Sequence, residues 1–357
     1  MTLLVTGGAG FIASNFIQHW CQTQTEPVVT VDALTYAGHR ANLMHLPVTA
    51  RHRFIQADLR EREAVERLLD HVKPRAILHA AAETHVDRSL YYPVETVHNN
   101  VMGTAHLLQA SLDYWKGLPA EQAAAFKFVQ VSTDEVYGSL PAEAPPTPVG
   151  AAFHPNNPYS ASKAAADHLA RAWHQSFGLP VMVTFCGNNY GPHQYPEKLI
   201  PFMIRQALAG KPLPLYGNGL QQRDWIHVLD HCRALASVLE QGAAGQHYHF
   251  GSGSNISNLA LIEQVCDQLD QLRPLPGGAS YRSQICFIAD RPAHDQRYAL
   301  DSGVSERLLN WRCEIPLERG IALTVQWYLE NPDWFDAVSD DALSAWYRLH
   351  YPDNVLP

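Results

Sequence analysis

Short apolar runs rich in Val, Ile, Leu and Phe recur through the first half of the chain. They alternate with segments in which apolar residues return every three or four positions. Within residues 62–73, for example, Val65, Leu68, Leu69 and Val72 share one helix face. The runs that predict strands are Leu3–Thr6, Val28–Asp32, Arg53–Gln56, Ala76–His79, Phe126–Ser132 and Val181–Phe185. This alternation predicts an α/β fold with a doubly wound parallel sheet, whose ligands gather at the carboxyl ends of the strands.

Two segments rich in Pro and Gly, residues 139–158 and 192–219, interrupt this pattern, and the second predicts where the chain leaves the sheet. The predicted divisions are a sheet domain over residues 1–187, to which segments near 225–253 return, a smaller C-terminal α/β lobe over 188–330, and a tail over 331–357. The aromatic residues of the tail pack either on the body of the protein or on another subunit.

Composition narrows the class of protein. Hydrophobic residues make up 46% of the 357 residues, too many for a disordered chain. The net charge of -9 argues against a general nucleic-acid binder, which would neutralise phosphates with Lys and Arg. The cysteines are scattered without a CxxC pair, and no HExxH occurs, so we expect reduced thiols and no metal site. No apolar run is long enough to span a bilayer, and no basic segment precedes the first strand, so we expect a cytoplasmic protein without a membrane partner.

A glycine-rich turn follows the first predicted strand, with the sequence Gly7-Gly8-Ala9-Gly10-Phe11-Ile12-Ala13. Gly7 allows a tight turn, Gly10 lets the backbone approach a pyrophosphate, and the small Ala13 permits helix–strand packing. Asp32 ends the second strand about twenty residues later, where a carboxylate can accept both hydroxyls of an adenosine ribose. These features predict a Rossmann dinucleotide site, and they favour NAD over NADP because the carboxylate repels a 2′-phosphate. Asp58-Leu59 is placed to meet the adenine, with a helix N-cap as the alternative role of Asp58.

Tyr159 and Lys163 stand four residues apart in Tyr159-Ser160-Ala161-Ser162-Lys163, which puts both on one face of a helix. A lysine ammonium near a phenol lowers the phenol's pKa, so tyrosinate can remove a proton from a hydroxyl while hydride passes to nicotinamide. Such spacing is common by chance, but here it follows a dinucleotide fingerprint. Together the two motifs predict a dehydrogenase-type active site.

Two adjacent acids, Asp134 and Glu135, follow Thr133 at the end of a predicted buried strand. Unpaired buried charge is costly, so a functional reading requires a task for each acid. Removal of a proton beside a ketone needs a base, and departure of a hydroxyl needs an acid. The alternative is that both residues only cap the following turn.

These motifs resemble those of the extended short-chain dehydrogenase/reductase family. Within that family the acid pair is similar to that of the dTDP-glucose 4,6-dehydratases, and the resemblance extends from Thr6 to about Tyr328. It implies that the protein oxidises an NDP-hexose at C4, removes water across C5 and C6, and returns the hydride to C6. It also implies that Glu135 is the base, that Asp134 is the acid and that Thr133 binds the C4 hydroxyl.

The resemblance also implies the remaining contacts. For NAD these are Gly7, Gly10, Phe11, Ile12, Asp32, Ala33, Leu34, Thr35, Asp58, Leu59, Ala80, Ala81, Ala82, Asn99, Tyr159, Lys163 and Asn189. For the nucleotide sugar they are Thr84, Thr133, Asn188, Glu197, Lys198, Leu199, Pro214, Tyr216, Arg223, Asn258, Arg291 and His294. Arg223 and Arg291 would bind the pyrophosphate as bidentate forks, and Tyr216 would hold the base.

The chain departs from the family's pattern at four positions. Ala13 replaces the third glycine, Asn99 stands where threonine is frequent, Gly187 replaces a serine, and Ala293 replaces a glycine. Gly187 and Ala293 border the expected substrate pocket, so the nucleotide and hexose are open, with UDP-glucose as an alternative to dTDP-glucose.

Two other functions remain as hypotheses. A C4-epimerase or decarboxylase of the same superfamily would have no use for Asp134 and Glu135. A catalytically silent NAD-sensing protein would have no reason to keep Tyr159, Lys163 and both acids. The family commonly forms homodimers, for which residues 105–112 and 161–173 are the candidate interface.

Overall fold

The computed structural model describes residues 2–339 and 341–351. Its strands are β1 Leu3–Thr6, β2 Val28–Asp32, β3 His52–Gln56, β4 Ala76–His79, β5 Lys127–Thr133, β6 Val181–Cys186, β7 Asn188–Tyr190, β8 Leu213–Tyr216, β9 Gln222–His227, β10 His247–Phe250, β11 Asn255–Ser257 and β12 Ile285–Ile288. Its α-helices are α1 Phe11–Thr23, α2 Arg62–Val72, α3 Val86–Tyr91, α4 Pro93–Val97, α5 Gly103–Lys116, α6 Ala120–Ala125, α7 Pro158–Phe177, α8 Leu199–Leu208, α9 Val228–Gln241, α10 Asn258–Leu272, α11 Gly303–Leu309, α12 Leu317–Glu330, α13 Pro332–Val338 and α14 Asp341–His350.

Seven parallel strands form the central sheet in the order β10-β6-β5-β4-β1-β2-β3. Successive side chains of a strand point to opposite faces. Leu3 and Val5 therefore join a core with α1 and α9, whereas Leu4 joins a core with α2, α5 and α7. Helices thus cover both faces, and the predicted doubly wound α/β fold is confirmed.

The return of the chain to the sheet is made by α9 and β10, because β10 pairs with β6. The predicted returning segment begins near residue 225, but β9 at that position is not part of the central sheet. It pairs with β7 and β11 in a three-stranded sheet. A further two-stranded sheet is formed by β8 and β12. The domain boundaries themselves stay a prediction.

The second lobe packs its helices α8, α10 and α12 around a core that also takes in the C-terminal segment. Trp334 and Phe335 of α13 and Trp346 and Tyr347 of α14 are buried in it. Of the two alternatives for the tail, its described part therefore packs on the body of the protein.

No helix within residues 2–339 and 341–351 is long and apolar enough to cross a membrane. The same residues contain no group of three or more His, Cys, Asp or Glu side chains that could hold a metal ion. All six cysteines are free.

Candidate active site

A large cavity opens at the carboxyl ends of β1, β2, β4 and β5, where the topology of a parallel sheet places ligands. It brings together residues that lie far apart in the sequence. Of the predicted residues it is lined by Gly7, Gly10, Phe11, Ile12, Asp32, Ala33, Thr35, Asp58, Leu59, Ala80, Ala81, Ala82, Thr84, Asn99, Thr133, Asp134, Glu135, Tyr159, Lys163, Asn188, Asn189 and Lys198.

The glycine-rich turn between β1 and α1 forms the floor of this cavity. Gly7 has a φ of 69°, and a Cβ there would lie 2.6 Å from Ala81 Cα, so a side chain is excluded. Gly10 is the N-cap residue of α1 and leaves the first backbone N–H groups of the helix facing the cavity. Ala13 is 2% exposed and packs in the core, so this departure from glycine is accommodated.

Asp32 lies at the end of β2, and its carboxylate is fixed by two backbone N–H groups. Ala9 N donates to Oδ2 at 3.0 Å and Leu34 N donates to Oδ1 at 2.8 Å. Burial raises the pKa of this carboxyl, and the two backbone donors oppose the rise. The hydrogen bond to Asp32 holds Leu34, which has a φ of 55°. Leu34 is not among the residues that line the cavity.

Asp58 is held by its neighbour Arg60. The Arg60 backbone N–H donates to Oδ1 at 2.8 Å, and the guanidinium hydrogen bond is the first cause of the lowered pKa of Asp58. The N-cap residue of α2 is Glu61. The helix N-cap alternative for Asp58 is therefore wrong, and the side chain remains at the cavity wall.

Thr133, Asp134 and Glu135 occupy the junction between β5 and a short 3-10 helix that spans Asp134–Tyr137. The Thr133 hydroxyl accepts the N-capping hydrogen bond from Glu135 N at 3.3 Å. Because the cap is supplied by Thr133, the alternative that the two acids only cap the turn is wrong. Asp134 is 3% exposed, and its Oδ2 has no hydrogen-bond partner among the described residues.

The two acids differ in their electrostatic surroundings. Burial, followed by the neighbouring Glu135, raises the pKa of Asp134 well above its ordinary value. Burial also raises the pKa of Glu135, but Arg291, Arg223 and Lys198 act against it. Cations therefore partly offset the rise in the pKa of Glu135, whereas the neighbouring carboxylate of Glu135 adds to the rise in the pKa of Asp134.

Helix α7 delivers Tyr159 and Lys163 to the cavity. The helix begins at Pro158 after the N-cap Asn157, whose side chain accepts from Ser160 N at 2.9 Å. Lys163 Nζ donates to Val131 O at 2.8 Å. Burial and then Glu135 raise the pKa of Tyr159 well above its ordinary value, and a hydrogen bond with Thr133 lowers it. The expected lowering of the Tyr159 pKa is therefore wrong for the protein chain alone, because burial outweighs nearby donors.

Three substrate residues were predicted in the loop after β7, namely Glu197, Lys198 and Leu199, and only Lys198 lines the cavity. Lys198 lines the cavity, and its Nζ donates to Thr84 O at 2.7 Å. Glu197 is not among the residues that line the cavity; its carboxylate accepts from Arg88 Nε at 2.7 Å, and its side chain is 0% exposed. Leu199 begins α8 and packs beside the core of the second lobe.

The cavity lining does not include a second set of predicted residues: Pro214, Tyr216, Arg223, Asn258, Arg291 and His294. Arg223 donates to Asp295 O at 3.0 Å. Arg291 donates to Asp87 Oδ1 at 2.7 Å and lies 6.0 Å from the centre of the Tyr216 ring. Pro214 is in β8, and Asn258 begins α10 after the N-cap Ser257. His294 Nδ1 bonds Asp290 Oδ1 at 2.6 Å and meets the Tyr216 ring edge-on.

Several residues of this region were missed by sequence reasoning. The Tyr351 hydroxyl bonds to Tyr216, and Trp346 lies over the guanidinium of Arg88 at 4.5 Å. Tyr36 covers the same guanidinium from 3.9 Å. The aromatic residues of the tail were the available signal, but the sequence does not say which surface they cover.

The departures at Gly187 and Ala293 have local structural correlates. A Cβ at Gly187 would lie 2.5 Å from Asp224 O, so the backbone here accommodates only glycine. Ala293 has a φ of 52°, a conformation that an L side chain disfavours and glycine adopts freely.

Comparison with known proteins gives matches over almost the whole chain. A family model described as GDP-mannose 4,6 dehydratase matches residues 4–324. A dTDP-glucose 4,6-dehydratase of Xanthomonas campestris pv. campestris (strain B100) is 48% identical over 348 residues, which are 98% of this chain and 97% of that protein. The dTDP-glucose 4,6-dehydratase 1 of Escherichia coli (strain K12) is 45% identical over an alignment of 359 positions that covers 98% of this chain and 99% of that protein.

Solved structures agree with these matches. The crystal structure of DesIV, a dTDP-glucose 4,6-dehydratase from Streptomyces venezuelae with NAD and TYD bound, has a TM-score of 0.85 and 42% identity, covering 95% of this chain and 100% of that one. A UDP-glucose 4-epimerase of Thermus thermophilus in complex with NAD has a TM-score of 0.80 and 29% identity, covering 92% of this chain and 99% of that one. The fold therefore occurs in epimerases as well as dehydratases.

The parallel sheet, the glycine-rich turn and the Tyr/Lys pair on α7 define an extended short-chain dehydrogenase/reductase. Full-length identity to dehydratases of 45–48% narrows the class further. The chain belongs to the nucleotide-sugar 4,6-dehydratase family. The resemblance inferred from the sequence is confirmed.

Proposed function

We propose that this protein is an NAD-dependent dTDP-glucose 4,6-dehydratase, a hydro-lyase that forms the 4-keto-6-deoxy sugar nucleotide and water. The observation that carries the proposal is the pair of adjacent acids beside Tyr159: Asp134, which is buried, and Glu135, which is partly buried. Burial raises the pKa of both, but neighbouring carboxylates add to the rise at Asp134 and three cations oppose it at Glu135, which suits a reaction that needs one acid and one base on adjacent carbons. The full-length dehydratase relatives support the same conclusion.

The residues that would hold NAD fit a dinucleotide. Gly7 permits the tight turn, Gly10 keeps the backbone at the N-terminus of α1 free of a side chain where a pyrophosphate can approach, and Asp32 offers a fixed carboxylate to a ribose. Bound there, NAD supplies a hydride acceptor for C4 and, once reduced, a hydride donor for C6.

The protein's own side chains would perform the proton transfers. Tyr159 removes the C4 hydroxyl proton, with Thr133 bonded to the same hydroxyl and Lys163 stabilising the phenolate. The C4 ketone acidifies the C5 proton, which Glu135 removes. Asp134, whose pKa is raised well above its ordinary value, protonates the C6 hydroxyl so that it leaves as water, and Glu135 returns its proton to C5 when the hydride reaches C6.

The nucleotide would occupy the region between the cavity and the second lobe. Arg223 and Arg291 lie close enough to Glu135 to affect its pKa, so a diphosphate between them would sit beside the acids. Tyr216 and His294 meet edge-on and form an aromatic wall for the base. The fixed backbone at Gly187 lies next to this region, and it is the reason to test UDP-glucose as the second substrate.

The test is incubation with dTDP-glucose, UDP-glucose and GDP-mannose. We expect dTDP-glucose to give a product lighter by one water, with the ultraviolet absorbance that a 4-keto sugar develops in alkali. A C4 epimer of unchanged mass would show an epimerase instead. A higher kcat/KM for UDP-glucose than for dTDP-glucose would support the dehydratase reaction but contradict the proposed nucleotide.

We also propose a homodimer through helices α5 and α7. Exposed apolar side chains next to these helices support it, since Val94, Val97 and Met102 are 75%, 45% and 42% exposed. Light scattering should give twice the chain mass, and Val97→Asp should reduce it towards one chain mass. Val48→Asp, at an exposed apolar residue elsewhere, is the control. The cytoplasmic location stays a prediction.

A further inference from the structure

Two side chains of α7, one helical turn apart, hold the end of β5. Lys163 Nζ donates to Val131 O at 2.8 Å, and Ser132 Oγ donates to Asp167 Oδ2 at 2.5 Å. Lys163 and Asp167 are 5% and 2% exposed. Residues four apart share a helix face, so α7 presents an ammonium and a carboxyl side by side to consecutive residues of the strand.

The reaction steps proposed above leave Asp167 without a role, although a buried carboxyl is costly to maintain. It does not line the cavity as described, so it does not touch the reacting atoms. Its Oδ1 has no partner with hydrogen-bond geometry among the described residues, although Gln130 lies near enough to lower its pKa.

The charges of Asp167 and Lys163 compensate each other. Burial raises the pKa of Asp167 to about 7, and Lys163 is the first neighbour that lowers it. Burial lowers the pKa of Lys163, and Asp167 is the first neighbour that raises it. Without this carboxylate, Lys163 would lose its proton at a lower pH.

We propose that Asp167 is a positioning residue for the dehydratase reaction, acting through Lys163 and Ser132. It is the counter-ion that keeps Lys163 an ammonium, and it anchors Ser132 so that the adjoining Thr133 meets Tyr159. The inference rests on the proposed function, because the Tyr159 proton transfer is the step it serves.

Two variants separate the two parts of this role. Asp167→Asn keeps a hydrogen-bonding group beside Ser132 but removes the charge. Its kcat should fall about 10-fold or more with little change in KM, and the alkaline limb of its pH profile should move about one unit lower. Ser132→Ala keeps the charge, so its kcat should fall while the alkaline limb stays in place. Asp167→Glu should restore the position of the limb.

The control is Asp230→Asn, a buried carboxyl that accepts from Glu314 N and Ile315 N at 3.1 and 3.0 Å. It should lower the melting temperature without moving the pH profile. An Asp167→Asn enzyme whose alkaline limb coincides with that of wild type would overturn the counter-ion role.

A measurement without turnover keeps this test independent of the substrate. In protein labelled with 15N at lysine Nζ, with Lys163→Met to assign the signal, Lys163 should titrate about one unit lower in Asp167→Asn. Unchanged titration would overturn the inference. Lack of product from wild-type enzyme with every sugar nucleotide would instead reject the proposed function, while the titration would still decide the role of Asp167.

Discussion

Asp134 and Glu135 are neighbours in the chain, and burial raises the pKa of both, but three cations oppose the rise at Glu135 and a neighbouring carboxylate adds to it at Asp134. Glu135→Gln should lower kcat for dehydration about 100-fold or more, because an amide cannot take the C5 proton. Oxidation at C4 should persist, so NADH should accumulate, which its ultraviolet absorbance would measure. Asp134→Asn is the matched variant: it should still exchange the C5 hydrogen with deuterated solvent, and Glu135→Gln should not. Exchange by both variants would remove Glu135 from the mechanism.

Asp32 is the residue that we propose selects NAD over NADP. Because two backbone N–H groups fix its carboxylate, Asp32→Ala should weaken NAD binding by about 10- to 100-fold through loss of charged hydrogen bonds. Affinity for the sugar nucleotide should change little. Calorimetry with each ligand measures both, and Asp70→Ala, at an exposed carboxyl, is the control. Equal losses for both ligands would contradict the assignment.

At the scale of elements, α14 and the residue that follows it join the tail to the predicted base subsite. Trp346 covers Arg88, and Tyr351 bonds to Tyr216 while stacking on Phe202 at 4.7 Å. Removal of residues 340–357 should therefore raise KM for the sugar nucleotide about 10-fold or more and leave NAD affinity near that of wild type.

A point substitution tests the same contact in case the truncated protein misfolds. Tyr351→Phe keeps the ring on Phe202 and removes only the hydroxyl, so KM should rise about 2- to 10-fold, the worth of one hydrogen bond. If both variants keep the wild-type KM, the C-terminal segment has no part in substrate binding.

At the scale of the whole molecule, buried neutral histidines make stability depend on pH. Burial lowers the pKa of His231 from 6.5 to about 3. The unfolded chain takes up a proton below about pH 6.5 and the folded chain does not, so stability is lost as pH falls through this window. His231 should cost about 2 kcal/mol of unfolding free energy between pH 6.5 and pH 5.

Urea unfolding at the two pH values measures this loss. His231→Gln should lose less stability on acidification than wild type, by about that amount. The same substitution at His154, which is exposed in the fold, should follow wild type. Parallel loss in all three proteins would show that His231 is not the source.

Local signals in the sequence were sufficient for six of the seven strands of the central sheet and for one side of the site. The six predicted strands correspond to β1–β6 with ends that agree within one residue, because each is an apolar run between turn signals. The glycine-rich turn, Asp32 and the helix with Tyr159 and Lys163 carry their geometry in short motifs. Such motifs determine backbone shape and side-chain facing within a few residues.

Ion pairs between residues far apart in the chain, and the pKa shifts that burial causes, were decided only by the tertiary structure. Glu197 faces Arg88, which is 109 residues away, and Arg291 faces Asp87 across 204 residues. Burial, which no local pattern measures, reversed the expected effect on the pKa of Tyr159. The sequence by itself determined six of the seven strands of the central sheet and the motifs whose side chains line the cavity at their carboxyl ends. The packing of the second lobe and tail against the sheet decided which charges meet, since burial and pairing are set by residues far apart in the chain.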